Sequence, residues 1–354
     1  MTEQYLISQS AALFTALERL NNLSGSGVMT LLATDSTGRV TGTLTDGDIR
    51  RALLRGESLQ SPVSEVMHHN FKRLSAGEAD VEAVRRFRQE GIELIPIVDA
   101  EGRLVRLLDT RTTRTLLPLS ALLMAGGRGE RLRPLTLNTP KPLLKVGGRA
   151  IIDYNISKLA AAGIDDVTVT VNYLGEQIEE HFREPVEGIQ VKTVREPMAM
   201  GTIGSASLIE GRDPEGWTLV MNSDLLTSID LEEMWLRHRE EGADITIAAV
   251  PYNVSVPYAV LTTEGQRVTS LREKPSLSFW TNAGIYIISN RLLNGLDKER
   301  RTDATDLIDT ALAEGRKVVY FPLKGTWIDI GNPVDYRHAC DLMSLKAESG
   351  KDEK

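Results

Sequence analysis

The spacing of apolar residues changes character near residue 118. Before that point, helix-like stretches precede pairs of short apolar runs. Leu13, Leu17 and Leu20 recur at helical spacing within residues 11–20, and Val81, Val84 and Phe87 do so within 81–89. Ala33-Thr34-Asp35-Ser36-Thr37-Gly38-Arg39-Val40 resembles Val98-Asp99-Ala100-Glu101-Gly102-Arg103-Leu104. Each places an Asp and a Gly in a turn between two apolar strands, which is hairpin chemistry. Residues 48–54 read as a further helix. The pattern therefore predicts two copies of a small helix–strand–strand–helix unit. Residues 111–118, polar at first and closed by Pro118, read as a linker.

From Leu119 the chain alternates strands and helices. Residues 119–124 form an apolar run entering a glycine-rich turn, and 151–162 are helical in pattern. Residues 167–171, 217–221, 245–250 and 283–288 read as strands rich in β-branched and apolar side chains. Such alternation predicts an α/β fold around a largely parallel sheet, preceded by a smaller α+β unit. The expected domains are 1–115 and 119–343, with 344–354 as a polar tail that frays.

Composition narrows the function. A chain of 354 residues, 41% hydrophobic and 25% charged, exceeds the usual size of one domain. Its formal charge of −8 argues against sequence-independent nucleic-acid binding, which needs clustered Lys and Arg. A lone cysteine, Cys340, excludes an internal disulfide framework. The first residues lack a basic region followed by a long apolar run, and no apolar stretch reaches membrane-spanning length. The expectation is a cytoplasmic protein with no membrane or nucleic-acid partner.

Candidate chemistry concentrates after the first strand of the second region. Gly126, Gly127 and Gly129 allow backbone amides to approach an anion closely. Arg128, Arg131 and Arg133 supply charge, and Pro140-Lys141-Pro142 mounts one ammonium group between prolines. These are the donors and cations that a nucleoside triphosphate needs. The P-loop pattern is absent, since no Gly-Lys-Ser/Thr follows, and Leu132 occupies the last glycine position of a dinucleotide fingerprint. Further on, the apolar strand Val220-Met221-Asn222 ends in Ser223-Asp224. Functional groups of open α/β sheets gather at such strand ends. Asp224 there is either a Mg²⁺ ligand or a turn or capping residue.

The string Gly126-Gly127-Arg128-Gly129-Glu130-Arg131-Leu132, followed by Pro140-Lys141-Pro142-Leu143, resembles the signature of the sugar-1-phosphate nucleotidyltransferases. The resemblance covers about 119–341 and implies a Rossmann-like mixed sheet. It implies that the glycine loop binds the triphosphate, Arg131 stabilises phosphate charge and Lys141 contacts the nucleotide phosphates. It makes Asp224 a metal ligand. Trp327-Ile328-Asp329-Ile330-Gly331 is similar to the family's Trp-x-Asp-x-Gly element, which makes Asp329 the second Mg²⁺ ligand. Glu273-Lys274-Pro275 and Asn282-Ala283-Gly284 resemble sugar-phosphate-binding elements, implying roles for Glu273, Lys274 and Asn282. The segment from Glu196 to Thr202 resembles the loop near base and sugar, where Gly201 allows close approach. Many members carry Thr at the position of Glu130, to which no role is assigned.

Residues 1–115 resemble a CBS-domain pair. Thr45 and Asp48 match the positions that hold the phosphate and ribose of an adenine nucleotide in that family. The second copy has Asp109 and Thr112 instead. The module is equally readable as a ligand-free assembly unit, and CBS pairs imply a homo-oligomer. A CBS pair before this transferase resembles, in architecture, bacterial guanylyltransferases that make GDP-sugars, including the glucosamine-1-phosphate enzyme of the legionaminic-acid pathway. The expected reaction joins a nucleoside triphosphate, GTP first, to a sugar 1-phosphate with release of pyrophosphate. The alternatives are a uridylyl- or thymidylyltransferase and a non-catalytic nucleotide sensor.

Overall fold

The computed structural model describes residues 2–25, 27–77 and 81–349. They divide into two compact units, one up to Leu117 with Ala161–Gly163, the other from Pro118 onward.

The first unit contains two related halves. In the first, strand β1 (Leu6–Ser8) is followed by helix α1 (Leu13–Leu23), hairpin strands β2 (Thr30–Thr34) and β3 (Val40–Thr45), and helix α2 (Asp46–Leu54). In the second, β4 (Leu74–Ser75), α3 (Val81–Gln89), β5 (Leu94–Val98) and β6 (Leu104–Asp109) repeat the order. Each half is a three-stranded sheet in which β1 and β4 run parallel to the hairpin beside them. Gly38 and Gly102 take φ of +83° and +81°, the left-handed conformation these turns demand. The two hairpins meet through an Arg39–Arg103 bridge. One expectation is corrected: no helix follows β6, because Asp109 spends its carboxylate on Arg111 and the chain turns away.

Helix α1 buries Leu13, Ala16, Leu20 and Leu23, one face at helical spacing, against β2, β3 and α2. Removing a Leu-sized side chain from water contributes about 1.5–3 kcal/mol, so the three leucines fix how the helix seats, with Ala16 packed between them.

The second unit is built on a seven-stranded sheet. It starts with β7 (Leu119–Ala125), then a small hairpin, β8 (Lys145–Val146) and β9 (Arg149–Ala150), and helix α4 (Ile151–Ala161). Strand β10 (Val167–Val171), α5 (Gly175–His181), β11 (Lys192–Arg195), β12 (Trp217–Asn222), β13 (Leu225–Thr227) and α6 (Leu231–Glu241) follow. Next come β14 (Ile245–Ser255), β15 (Val260–Glu264), β16 (Arg267–Arg272), β17 (Ser276–Ser289), α7 (Asn290–Asn294), α8 (Ala304–Ala313), β18 (Val318–Pro322), β19 (Trp327–Asp329) and α9 (Pro333–Ser349).

The sheet order is β11-β10-β7-β12-β17-β14-β18, and only β17 runs against its neighbours. After β7 the chain builds outward to β10 and β11, then returns to β12 on the other side of β7. The crevice at the carboxyl ends of β7 and β12 is therefore a topological switch point, where open sheets place their ligands.

Two expectations change here. The strands at 245–250 and 283–288 extend to Ser255 and back to Ser276, because β14 and β17 pair along their whole length. Their outer halves, with the β15–β16 hairpin, form an exposed ribbon that no apolar-run reading detects. The residues expected to fray from 344 continue α9 through Ser349; 350–354 lie outside the described residues. No helix among the described residues is long and apolar enough to cross a membrane.

Candidate active site

Strand β7, buried along most of its length, delivers the chain to Gly126 at the switch point. Gly129 takes φ +60° and starts a single 3-10 turn, Glu130–Leu132. A Cβ on Gly129 would stand 2.9 Å from Thr136 Cγ2 and 3.3 Å from Lys141 Cβ. Conformation and crowding both select glycine there. Thr136 Oγ1 donates to the Gly129 carbonyl at 2.8 Å and closes the loop. Gly127 is exposed and a Cβ there would meet nothing within 4 Å, so its backbone is open to an incoming anion. Glu130 is turned outward, 61% exposed and 3.7 Å from Arg133, which separates its charge from the loop interior.

Lys141 follows Pro140 and opens a 3-10 turn. Its ammonium bonds Asp224 Oδ2 and lies 3.7 Å from Asp329 Oδ1. Asp224 sits just past β12, fixed by Ser223, whose hydroxyl donates to Met124 O at 2.7 Å, and by Asn155, which donates to Ser223 O at 3.1 Å. Strands β13 and β19 pair antiparallel with Leu225 opposite Asp329, so the two acidic residues become neighbours. The Asp224 backbone carbonyl accepts from Ile330 N at 3.2 Å. The structure thus brings Lys141, Asp224 and Asp329 together. Asp224 Oδ1 is buried without a hydrogen-bond partner among the described residues. Burial, and then the negative charge of Asp224, push the Asp329 carboxyl above the ordinary aspartate range, against the pull of Lys141 and Arg131. Arg131 reaches the same corner: a Cβ on Gly331 would stand 3.3 Å from its Nη2.

A cleft of about 670 Å³ opens in front of this cluster. Its walls include Gly126, Gly127, Lys141, Asp224 and Gly201, together with Arg128, expected from the sequence only to supply loop charge, and two residues given no role of their own there, Glu196 and Arg301. Glu196 is buried under the glycine loop, and a Cβ on Gly126 would stand 2.8 Å from its Oε1. Burial raises the Glu196 carboxyl above its usual range, while hydrogen bonds from Met200 N, Asn172, Thr170 and Ser205 oppose the rise. Gly201 has φ +80°, and a Cβ there would stand 2.5 Å from Thr302 O. Thr202 N donates to Asp303 Oδ1 at 2.9 Å, so the loop is tied to the segment carrying Arg301. The only trace of Arg301 in the sequence is a paired Arg300-Arg301 before a helix-capping Asp.

Other candidates lie elsewhere. Glu273 and Lys274 occupy the exposed ribbon and line no part of the cleft; Lys274 has φ +40°. Asn282 lines a neighbouring cavity of about 910 Å³ with Trp280 and Trp327. Its amide is engaged locally, donating to Tyr286 Oη at 2.8 Å and accepting from Gly284 N at 2.9 Å. In the first unit Thr45 and Asp48 form a reciprocal capping box at the start of α2. Asp48 Oδ2 accepts from Thr45 N at 2.8 Å and Thr45 Oγ1 at 2.6 Å, and Oδ1 accepts from Arg51. Burial alone would raise the Asp48 carboxyl; these donors outweigh it and hold it below the usual range.

Comparison with known proteins agrees with this geometry. A putative mannose-1-phosphate guanyltransferase of Sulfolobus acidocaldarius is 31% identical over 236 residues, 66% of this chain and 65% of that protein. A mannose-1-phosphate guanylyltransferase of Mycobacterium tuberculosis is 31% identical over 234 residues, 64% of this chain and 65% of the relative. The chain thus spans just under two thirds of the length of these relatives. A crystal structure of a putative glucose-1-phosphate thymidylyltransferase from Bacillus anthracis in complex with sucrose superposes with a TM-score of 0.50. It covers 64% of this chain and 95% of that one at 22% identity, and so shows a shared fold. The family model described as nucleotidyl transferase matches residues 120–344, the segment that carries the glycine loop, Lys141, Asp224 and Asp329, and the chain belongs to that family.

Proposed function

We propose that this chain transfers GMP from GTP to a hexose 1-phosphate, releasing pyrophosphate and forming a GDP-sugar. The observation that carries nucleotidyl transfer is the convergence of Lys141, Asp224 and Asp329 beneath the glycine loop. A buried carboxylate oxygen without a partner, beside a second carboxyl raised by its neighbour's charge, is a donor set that suits a cation. Mg²⁺ takes one or two carboxylates and completes its shell with phosphate oxygens and water, so Asp224 and Asp329 would hold it. A bound Mg²⁺ would neutralise phosphate charge during transfer. The amides at Gly126, Gly127 and Gly129 then cradle the triphosphate. Arg131 and Lys141 stabilise charge as the sugar phosphate oxygen attacks the α-phosphorus and pyrophosphate leaves. The chain needs no covalent intermediate, since positioning and electrostatics carry such transfers.

The relatives named as guanyl- and guanylyltransferases support guanine, and Glu196 is the cleft carboxyl assigned to it, exchanging some of its contacts to Met200 N, Asn172, Thr170 and Ser205 for the base. Guanine offers two adjacent donors, N1–H and N2–H, to one carboxylate, whereas uracil and thymine offer a single N–H flanked by carbonyls that a carboxylate repels. The relatives are named as acting on mannose 1-phosphate, and the architectural resemblance favours glucosamine 1-phosphate. Glu273, Lys274 and Asn282 are assigned to the sugar phosphate by resemblance, although none of them lines the cleft. The first unit is read as a CBS pair that assembles the chain into a homo-oligomer and takes an adenine nucleotide at Thr45 and Asp48. The protein is placed in the cytoplasm.

The test is a pyrophosphate-release screen of GTP, UTP, dTTP and ATP against mannose, glucose and glucosamine 1-phosphates with Mg²⁺. GTP should be preferred. Preference for UTP or dTTP overturns the reading of Glu196, and release with no pair leaves a nucleotide sensor as the better account.

A further inference from the structure

We propose that the exposed ribbon, formed by the outer halves of β14 and β17 with the β15–β16 hairpin, is an interface between two copies of this chain. From Pro251 to Trp280 no residue is buried, although the segment is rich in large apolar side chains. A two-stranded hairpin with no covered face is marginally stable at best in water. Strand β18 pairs with β14 only as far as Ala249 and Pro322, so the outer half of β14 also has a free edge among the described residues.

The register sorts these side chains by face. Tyr252 stands opposite Phe279 and Val254 opposite Leu277, and residues two apart share a face, so the four form one apolar surface. Tyr252 and Phe279 are 60% and 53% exposed, and Val254 and Leu277 are each 40% exposed. The other face carries Asn253, Ser255, Ser276 and Ser278, with Ser278 Oγ donating to Asn253 Oδ1 at 2.6 Å. Trp280 lies on that polar face and has its own neighbour in Tyr320, ring centroids 5.3 Å apart. The hairpin repeats the division. Leu261 stands opposite Leu271 and Thr263 opposite Val268 on one side, while Ser270 Oγ donates to Thr262 Oγ1 at 2.9 Å on the other. Such alternation belongs to a sheet with one covered face, and no described residue covers this one.

Size and charge select a second copy as the cover. The apolar side chains on these two surfaces, each about half exposed, present roughly 700 Å², close to the about 800 Å² per partner that a standard interface buries. Glu264 and Arg267 flank the turn of the hairpin, and Arg272, Glu273 and Lys274 lie at its base. A two-fold axis that packs the ribbons antiparallel sets turn against base, so Glu264 meets Arg272 or Lys274, and Arg267 meets Glu273. A surface of mixed sign suits its own copy, whereas an anionic membrane or an acidic partner calls for a single positive field. The interface does not depend on the assembly proposed for the first unit.

The experiment uses the full chain. Sedimentation equilibrium should show reversible self-association. Leu277→Lys combined with Phe279→Lys should weaken it at least about 100-fold, as like charges enter the centre of an apolar contact. Both residues are exposed, so the circular dichroism spectrum and melting temperature of the isolated chain should hold. Asn253→Lys, on the polar face, should change the association by no more than about threefold, as an ordinary surface substitution does. A photo-crosslinking benzophenone side chain at Phe279, in a mixture of isotopically light and heavy chains, should join residues 251–280 of two different chains. The proposal is overturned if the protein stays monomeric at about 100 μM, if the double variant associates like the unaltered chain, or if Asn253→Lys disrupts association as strongly. Crosslinks within a single chain, or to any other region of a second one, overturn it as well, since the ribbon then has a different cover.

Discussion

At the scale of single residues, the site is a balance between two carboxylates and one ammonium. Lys141 holds Asp224 and Asp329 together where no metal is present. Without it the two acids face each other. Lys141→Ala is expected to lower the melting temperature in metal-free buffer and to recover most of the loss on adding Mg²⁺, while turnover falls at least 100-fold. Equal melting curves with and without Mg²⁺ would count against a metal at these acids. Asp224→Ala should abolish Mg²⁺-dependent pyrophosphate release. Asp329 has a raised pKa, so it keeps its proton to higher pH when folded than when unfolded. The stability this proton gives is fully present below the unfolded value of 3.8 and is lost as pH rises through the folded value. At neutral pH the ionised carboxylate therefore destabilises the fold. Asp329→Asn should raise the metal-free melting temperature while abolishing activity, the trade expected of a strained functional group. A lowered melting temperature would show that the carboxylate stabilises instead.

At the scale of elements, short segments do specific work. Gly129 combines φ +60° with a site where a Cβ would stand 2.9 Å from Thr136 Cγ2, so Gly129→Ala should cost more than the roughly 1 kcal/mol of an ordinary glycine replacement. Denaturant unfolding measures it, with activity falling in parallel. Helix α6 carries a different constraint. Asp230 caps its start, accepting from Glu233 N at 3.0 Å, and Gly242 at φ +56° ends it. These caps fix the turn that buries His238. Because burial lowers the folded pKa of His238 to about 4, its contribution is present above the unfolded value of 6.5 and is lost as pH falls toward 4. Integrated across that window the loss is about 3 kcal/mol. His238→Gln should flatten the fall in melting temperature between these pH values, and an unaltered slope would assign acid sensitivity elsewhere.

At the scale of the whole molecule, the first unit poses the regulatory question. AMP should raise the melting temperature if Thr45 and Asp48 hold an adenine nucleotide, and Asp48→Ala should cancel that rise. The same variant removes the capping box of α2, at a cost of about 1 kcal/mol. The comparison must therefore be the AMP-induced shift within each protein, not the absolute melting temperature.

Much of this organisation was legible in the residues. Asp and Gly turn residues marked the hairpins at Gly38 and Gly102, and apolar spacing marked the helix Val81–Gln89 and the strand Val167–Val171, because the helix buries one face and the strand a continuous run. The glycine loop, Lys141, Asp224 and Asp329 were legible because short, unusual strings encode local backbone and charge. Partnership between distant segments was not legible. Only the pairing of β13 with β19 makes Asp224 and Asp329 neighbours, and only the packing of residues 196–202 against 302–303 brings Glu196 and Arg301 to the cleft. The exposed ribbon of β14 and β17 escaped notice because its apolar residues alternate with polar ones and neither face is buried within the chain, so no apolar run records it. The sequence by itself determined the chemistry available and the order in which it arrives. The tertiary structure decided which groups share a site, since contacts between residues far apart depend on sheet order and register, which local patterns do not specify.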